Sequence, residues 1–580
     1  MIASLLFRQR REPKSGRWSR LPSGMTALSL AVLIAGCAGA PKPAQVPPQA
    51  SAASGFTILQ INDTYKIEGL RAGAEGGLAR VRTLRRELER EGRPVLVLHA
   101  GDFLFPSVMS KYLAGVPMID ALNLLDGEEG KDERFFVTPG NHEFDNPELA
   151  LLADRIAQSQ FTWITSNVAV TGPAGTADVD LRPLADRFPN VEDHVVLVLG
   201  GIRVGIFGLT LSDQSRPWVD YGYDPATRRA TIARVLGDLE REGAAFVIGL
   251  THQEIADDEW LAREFPGRID WIVGGHEHVA LTRKVAGTTI TKADADAKSA
   301  YRIDVRPVEG GGAQRPFAAN GTLVELGAAV AVDPDMIRAV SSSLVTLERA
   351  VAEKTGRRLL EVVATSEHLL EGTEPAIRGR ETALGDLLCD LLRERLASDI
   401  AFVNGGAIRV NDDVPAGGDL RVYELEGIFY YDDKPVVFEL TGREILGLLE
   451  KSVSQANLGH GRFLQVAGLR FRYEVAPDGT TRVDAAEVAV RPAGGTEFSP
   501  LELDRHYRAA TLTYTWRNGY RDGYPLFSAG AGDGGTSPAL LETPEVSWRT
   551  LTEEALAALP GRRITTDVDG RIERFENPAP

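Results

Sequence analysis

The chain has 580 residues, 43% of them hydrophobic, and a formal net charge of −17. That length accommodates two or more domains with cores of their own, and the acidic balance argues against gripping a nucleic-acid polymer through a general basic field. A small anionic substrate stays open, because bound cations and local arginines reverse the field inside a single cleft.

In chain order, Arg8, Arg10, Arg11, Lys14, Arg17 and Arg20 form a basic leader. The apolar core that follows, Met25 to Ile34, is too short to span a bilayer comfortably. Ile34-Ala35-Gly36-Cys37 resembles the lipobox of bacterial lipoprotein precursors, which implies a signal peptide over residues 1–37 and a lipid on Cys37. Position 39 is Gly and not Asp, so nothing resembles an inner-membrane retention signal. The expectation is a periplasmic protein anchored by its lipid to the outer membrane or cell surface. Residues 38–54 are rich in Pro, Ala and Ser and read as a flexible tether. Lipidation of Cys37 leaves Cys389 alone, so no internal disulfide is available, and the pattern around Cys389 predicts a core helix.

Five hydrophobic runs then each end on a metal-type ligand. Thr57-Ile58-Leu59-Gln60-Ile61 leads to Asp63, and Val95-Leu96-Val97-Leu98 leads to Asp102. Phe135-Phe136-Val137 leads to Asn141 and His142, Phe246-Val247-Ile248 to His252, and Trp271-Ile272-Val273 to His276 and His278. Such runs, separated by helix-sized segments, predict buried parallel strands of an α/β sheet. Ligands of such sheets sit just beyond the carboxyl ends of the strands. A lone Asp at a strand end is more often a turn or cap, and a lone His more often packed or solvated. Five strand ends delivering Asp, Asn or His together point to a two-metal hydrolase. Oxygen plus imidazole ligands suit Mn, Zn, Fe or Co, and two ions need a bridging carboxylate. Asp102 is the candidate bridge, with Asp63 and His278 completing one ion and Asn141, His252 and His276 the other. His142 has Asp145 three residues on, a spacing that lets a carboxylate orient an imidazole for proton transfer or charge stabilisation.

The alternation runs to about residue 309, where Gly310-Gly311-Gly312 breaks it, giving a first domain over 55–310. A linker over 311–356 carries a predicted helix from Pro334 to near Lys354, with Ile337, Val340, Leu344, Leu347 and Val351 on one face. An α+β domain is expected over 357–575, with a helix at 381–396 and short strands such as 400–403, 436–440 and 469–473. It has a candidate site of its own in Arg380-Glu381-Thr382 and Asn404-Gly405-Gly406-Ala407-Ile408-Arg409. Glycines after a strand let backbone approach a ligand, and Arg suits bidentate recognition of phosphate or carboxylate. An isolated Asn-Gly-Gly is more often only a turn.

Gly140-Asn141-His142-Glu143-Phe144-Asp145, Gly101-Asp102, Thr251-His252 and Gly274-Gly275-His276-Glu277-His278 resemble the calcineurin-like metallophosphoesterases. With Gly76-Gly77-Leu78-Ala79-Arg80 they look more narrowly like the secreted bacterial 5′-nucleotidases and UDP-sugar hydrolases. The resemblance covers nearly everything from about residue 55 onward. It implies an α/β fold, a calcineurin-like metallophosphoesterase sandwich, followed by a separate α+β substrate-binding domain. It implies that Asp63, Asp102, Asn141, His252, His276 and His278 hold two divalent ions, and that His142 and Asp145 act at the phosphoryl group. In the second domain it implies that Arg380, Asn404 and Arg409 contact a nucleotide. Tyr431 and Tyr524 would sandwich its base, with stacking of roughly 1–3 kcal/mol per base.

The chain also departs from the family. The usual Asp-x-His at the first strand is Asp63-Thr64-Tyr65 here. A phenol ionises near about pH 10 and is a poor neutral ligand for Zn or Mn. Either Tyr65 packs as a half-buried aromatic, the reading preferred on sequence, or it binds as phenolate and favours ferric iron. Tyr430-Tyr431-Asp432-Asp433 replaces a Pro-Phe-Gly-Asn stretch, Thr513-Tyr514-Thr515-Trp516 replaces an Asn-Asp-aromatic segment, and Arg521 replaces a glycine. The expected activity is hydrolysis of nucleoside 5′-monophosphates by metal-bound hydroxide, with Mn, Zn or Co as the ions. The alternatives are a 2′,3′-cyclic nucleotide or UDP-sugar hydrolase and, in another class, a nucleotide-binding surface lipoprotein with a degraded metal site.

Overall fold

The computed structural model describes residues 55–172, 180–212, 216–308, 317–431, 433–527 and 537–576. The leader, Cys37, the 38–54 tether, the Gly310-Gly311-Gly312 break and Asp432 lie outside them. Among the described residues no helix is long and apolar enough to cross a membrane.

The five ligand-bearing runs are strands: β1 (Phe56–Ile61), β2 (Val95–His99), β3 (Phe135–Val137), β4 (Phe246–His252) and β5 (Trp271–Gly274). They divide between two sheets, which a reading strand by strand did not separate. β1, β2 and β3 run parallel in a seven-stranded sheet, and β4 and β5 run parallel in a six-stranded one. Ile58, Leu96, Leu98 and Phe136 of the first sheet share one buried cluster with Ile248, Leu250 and Val273 of the second. Leu59, Ile61, Val95 and Val97, on the opposite face of the first sheet, join a cluster with helical residues such as Leu78, Val81 and Leu84. Each strand is therefore buried on both faces, which is why its sequence is a continuous apolar run and not an alternation. Stacking the sheets brings the carboxyl ends of all five strands to one edge.

Strand pairing continues beyond the expected boundary. Strand Ser299–Pro307 precedes it, and strand Phe317–Glu325 after it returns antiparallel in full register, from Ser299 opposite Glu325 to Pro307 opposite Phe317. Strand Phe317–Glu325, in the segment expected to be linker, is thus paired with the sheet that carries the first strands.

The connecting helix runs Pro334–Thr355 and buries Met336, Val340, Leu344, Leu347 and Val351, the expected stripe, with Ile337 packed partly against it. Asp333 caps it by accepting from the backbone of Asp335 and Met336, and Gly356 ends it at φ +71°. The same Asp333 carboxylate takes Arg82 and Arg86, each at 2.7 Å, and so ties the helix to the first domain.

The remaining chain is α+β. Helix Ala383–Arg395 buries Cys389 against a five-stranded sheet ordered Leu464–Ala467, Ile400–Asn404, His506–Leu512, Pro435–Thr441, Leu540–Glu542. This domain contacts the first through polar groups: Lys66 and Arg71 meet Asp412, Arg71 also meets Asp413, and Asn411 donates to Asp296.

Candidate metal centre

The turns after the strands carry strain where the metal-type donors sit. Asp63, Asp102, His276 and His278 all have left-handed backbone, at φ +52°, +60°, +92° and +61°. Non-glycine residues adopt that region at a cost of about 1–3 kcal/mol each, and such residues cluster at functional sites. Glu143 holds the Asp102 turn: its buried carboxylate accepts from the backbone N–H of Gly140 (2.6 Å), Asp102 (2.8 Å), Phe103 (2.8 Å) and Leu104 (2.9 Å). Burial, with the nearby Asp102 charge, raises its pKa to about 7 against those hydrogen bonds. The sequence showed Glu143 only as a letter of the motif; this scaffolding role needed coordinates.

The donors converge. The ligand atoms of Asp63, Asp102 and His278, all buried, lie within 4.8 Å of one another. His278 Nε2 is 3.1 Å from Asp63 Oδ1, and His252 Nε2 is 3.2 Å from Asp102 Oδ2 and 3.1 Å from Asn141 Oδ1. Asp102 therefore stands between the two groups, as a bridging carboxylate must. His276 lies next to this set, its ring 5.3 Å from that of His252, with Nε2 3.6 Å from Glu254 Oε1. Buried carboxylates and imidazoles in this arrangement suit divalent transition ions. Burial disfavours the charged His252 and His278, but Asp102 raises the first to about 10, and Glu374 and Asp63 raise the second to about 9. A proton and a metal ion compete for the same nitrogens.

Tyr65 does more than pack. It is 5% exposed, not half-buried, and its hydroxyl points into the donors: 2.9 Å from Asp102 Oδ2, 3.0 Å from His278 Nε2 and 3.3 Å from Asp63 Oδ1. Packing alone does not require that orientation.

His142 and Asp145 meet as their spacing predicts, with Nδ1 2.9 Å from Asp145 Oδ2. On the other side Arg409 Nη2 lies 2.7 Å from His142 Nε2. A guanidinium only donates, so Nε2 is the acceptor here and Nδ1 carries the proton toward Asp145. Burial opposes charge on His142, yet Asp145 and Asp102 outweigh it and raise its pKa.

The second domain reaches the centre through Arg409 and through two residues that sequence reasoning missed. Glu374 hydrogen-bonds His278 Nδ1 and accepts from Arg378 at 2.5 Å and Arg409 at 3.1 Å. The Arg380 side chain, half exposed, makes two bonds to Glu371 at 2.6 and 2.7 Å, and it is Arg378 that turns toward Glu374 and His278. Two residues along the chain reverse which arginine faces inward. The i,i+4 spacing of Glu374 and Arg378 was the available signal. Asn404 ends its strand buried, accepting from Thr515 Oγ1 at 3.1 Å. Tyr431 is 39% exposed and packs edge-on against Tyr430, whereas Tyr524 is buried against Phe527 with its hydroxyl on the Arg462 carbonyl. The two rings expected to sandwich a base thus have different surroundings here.

Comparison with known proteins places this geometry. The family described as calcineurin-like phosphoesterase matches residues 56–280, and 5′-nucleotidase, C-terminal domain, matches residues 362–529. The trifunctional nucleotide phosphoesterase protein YfkN of Bacillus subtilis (strain 168) is 26% identical over 553 residues, 89% of this chain; the match spans only 35% of that longer protein. The snake venom 5′-nucleotidase of Crotalus adamanteus is 24% identical, covering 81% of this chain and 82% of its own length. Among solved structures, the 5′-nucleotidase precursor from Thermus thermophilus aligns with a TM-score of 0.67 at 25% identity, over 90% of this chain and 100% of that one. The sulfate thiohydrolase SoxB of the same species shares the fold, with a TM-score of 0.61 at 17% identity over 92% and 98% of the two chains.

The tightest spacing at the centre belongs to Gly140, where an added Cβ would stand 2.1 Å from Asp102 Oδ1. Gly140→Ala should displace the Asp102 carboxylate, lower bound metal and cost about 1–3 kcal/mol of stability through overpacking. Elemental analysis and thermal melting check this; wild-type metal content with an unchanged melt would show that Asp102 is not confined there.

Proposed function

We propose that this chain, a calcineurin-like metallophosphoesterase joined to a 5′-nucleotidase C-terminal domain, hydrolyses nucleoside 5′-monophosphates to nucleoside and phosphate. The class of reaction, hydrolysis of a phosphoester bond, follows from the fold and its metal-type cluster. The observation that carries the reading is the convergence of buried Asp63, Asp102 and His278 beside His252 and Asn141. The nucleotide as substrate is supported by the names of the relatives, phosphoesterases and 5′-nucleotidases of nucleotides. A 2′,3′-cyclic nucleotide or UDP-sugar hydrolase stays the alternative, since one relative's name prints more than one nucleotide phosphoesterase function.

In this reading Asp63, Asp102, Asn141, His252, His276 and His278 hold two ions, which when bound supply Lewis acidity and a water of lowered pKa. Asp145 holds one proton of His142 on Nδ1 and favours the doubly protonated ring, so that once Arg409 turns to the substrate Nε2–H can face the phosphoryl group, stabilise its charge or give its proton to the leaving oxygen. Arg409, now on that Nε2, brings a buried guanidinium fork to the same place, where it would recognise phosphate oxygens, while Arg378 lies 3.5 Å from His278 Nδ1 and pairs with Glu374. Asn404 and Tyr431 extend the site toward the nucleoside, and Tyr524 shapes it from behind.

Tyr65 bears on which ions these are. Its hydroxyl has one proton, yet three acceptor or ligand atoms surround it within 3.3 Å. We read Tyr65 as a fourth donor to the ion of Asp63, Asp102 and His278. Three anionic oxygens about one ion favour a trivalent metal such as ferric iron over the Mn, Zn or Co of the sequence reading. The donor set is in that case altered and not degraded, which disfavours a mere nucleotide binder.

Phosphate release from a panel of nucleotides, screened against Mn, Zn, Co and Fe, tests the activity; nucleotide affinity without turnover under every metal would leave the binder. His142→Ala should keep its metal while turnover falls roughly 10²–10⁴-fold, and parallel loss of metal would make His142 a ligand instead. An iron-loaded preparation should be coloured by charge transfer from Tyr65, and Tyr65→Phe should bleach it. A colourless iron protein, or one whose colour survives Tyr65→Phe, refutes the phenolate. The lipid anchor at Cys37 predicts that Cys37→Ser is released from membranes; a wild-type protein found fully soluble, with another mature N-terminus, rules the anchor out.

A further inference from the structure

We propose that Glu374, a residue of the C-terminal domain, is a positioning residue for the metal centre of the other domain, holding His278 in the one tautomer and orientation that presents Nε2 to the ion. The proposal rests on the reading of Asp63, Asp102 and His278 as ligands, and adds to it a residue that no ligand-bearing strand supplies.

Glu374 is the first residue of the short helix Glu374–Ile377, and its backbone N–H donates to Asn411 Oδ1 at 2.9 Å. Its carboxylate is divided between two tasks. Oε2 hydrogen-bonds His278 Nδ1, and Oε1 accepts from Arg378 Nη2 at 2.5 Å and Arg409 Nη1 at 3.1 Å. Both Glu374 and His278 are buried, at 3% and 4% exposure, so water does not compete for the bond. A carboxylate anchored by two guanidinium groups is ionised and only accepts, so Nδ1 of His278 bears the hydrogen. The second nitrogen of the ring is then the one available to a cation, and it faces Asp63 Oδ1 at 3.1 Å and Tyr65 Oη at 3.0 Å. Carboxylate–histidine pairs of this kind fix the ring and raise its basicity toward the metal.

The pair crosses the boundary between domains, joining residues 96 positions apart. Asn411, which anchors the Glu374 backbone, itself donates to Asp296 of the first domain, so the contact is held on both sides. Ligand orientation at His278 therefore depends on the seating of the C-terminal domain. The same carboxylate also holds Arg378 and Arg409 beside the centre.

The experiment is competition of zinc between a chelating dye and the full-length protein, in wild type, Glu374→Gln, Glu374→Ala, His278→Ala and Arg71→Ala. The Arg71 side chain pairs with Asp413 across the same interface away from the centre, its backbone N–H bonding Asp412 in either variant, and its removal controls for simple loosening. One of two bound ions should weaken about 10-fold in Glu374→Gln and up to about 100-fold in Glu374→Ala. It should be the same ion that His278→Ala loses, with the other ion unaffected and Arg71→Ala like wild type. Should Glu374→Ala fail to fold, the Gln variant carries the comparison. If His278→Ala loses an ion and Glu374→Gln binds both as tightly as wild type, the positioning role is overturned while the metal reading stands. Equal weakening in Arg71→Ala overturns it as well, by assigning the effect to the interface at large. If His278→Ala keeps both ions at wild-type affinity, the reading beneath the proposal falls with it.

Discussion

Asp63 and Asp102 are ionisable groups that the fold buries completely and sets close together, each raising the other's cost of charge. Desolvating such a group costs several kcal/mol unless opposite charge and hydrogen bonds compensate it. Much of the surrounding structure is that compensation. His278 and His252 face the two carboxylates and draw their pKa values down in spite of burial. The backbone N–H of His276 donates to Asp63 and that of His142 to Asp102. A bound cation would complete the same balance, so the arrangement that makes the carboxylates tolerable is also one suited to holding a metal ion.

The second consequence concerns the domain interface. Apolar packing would join two domains of this size without specifying what faces the carboxylates. Here the contact near the centre is charged and buried: Glu374 between His278 and two arginines, with Arg409 continuing to His142. Buried ion pairs are weak contributors to stability but demand good geometry. They therefore register the C-terminal domain on the cluster of metal-type donors, with Arg409 beside His142.

The sequence by itself determined the strand ends and the metal-type side chains just beyond them, because strands buried on both faces must be continuous apolar runs and turns leave a short polar signature. It determined the connecting helix through its stripe from Val340 to Val351, the burial of Cys389, and the pairing of His142 with Asp145, all of which depend on short-range spacing. Only the tertiary structure decided the rest. It divided the five strands over two sheets, paired strand Phe317–Glu325 with Ser299–Pro307, and turned Arg378 inward while Arg380 faces outward to Glu371. It aimed the Tyr65 hydroxyl at the donors and brought Glu374 to His278. Each of these is a long-range contact. Which of two nearby side chains faces a site, and which carboxylate completes a histidine, is set by packing between segments far apart in the chain, where local pattern has no reach.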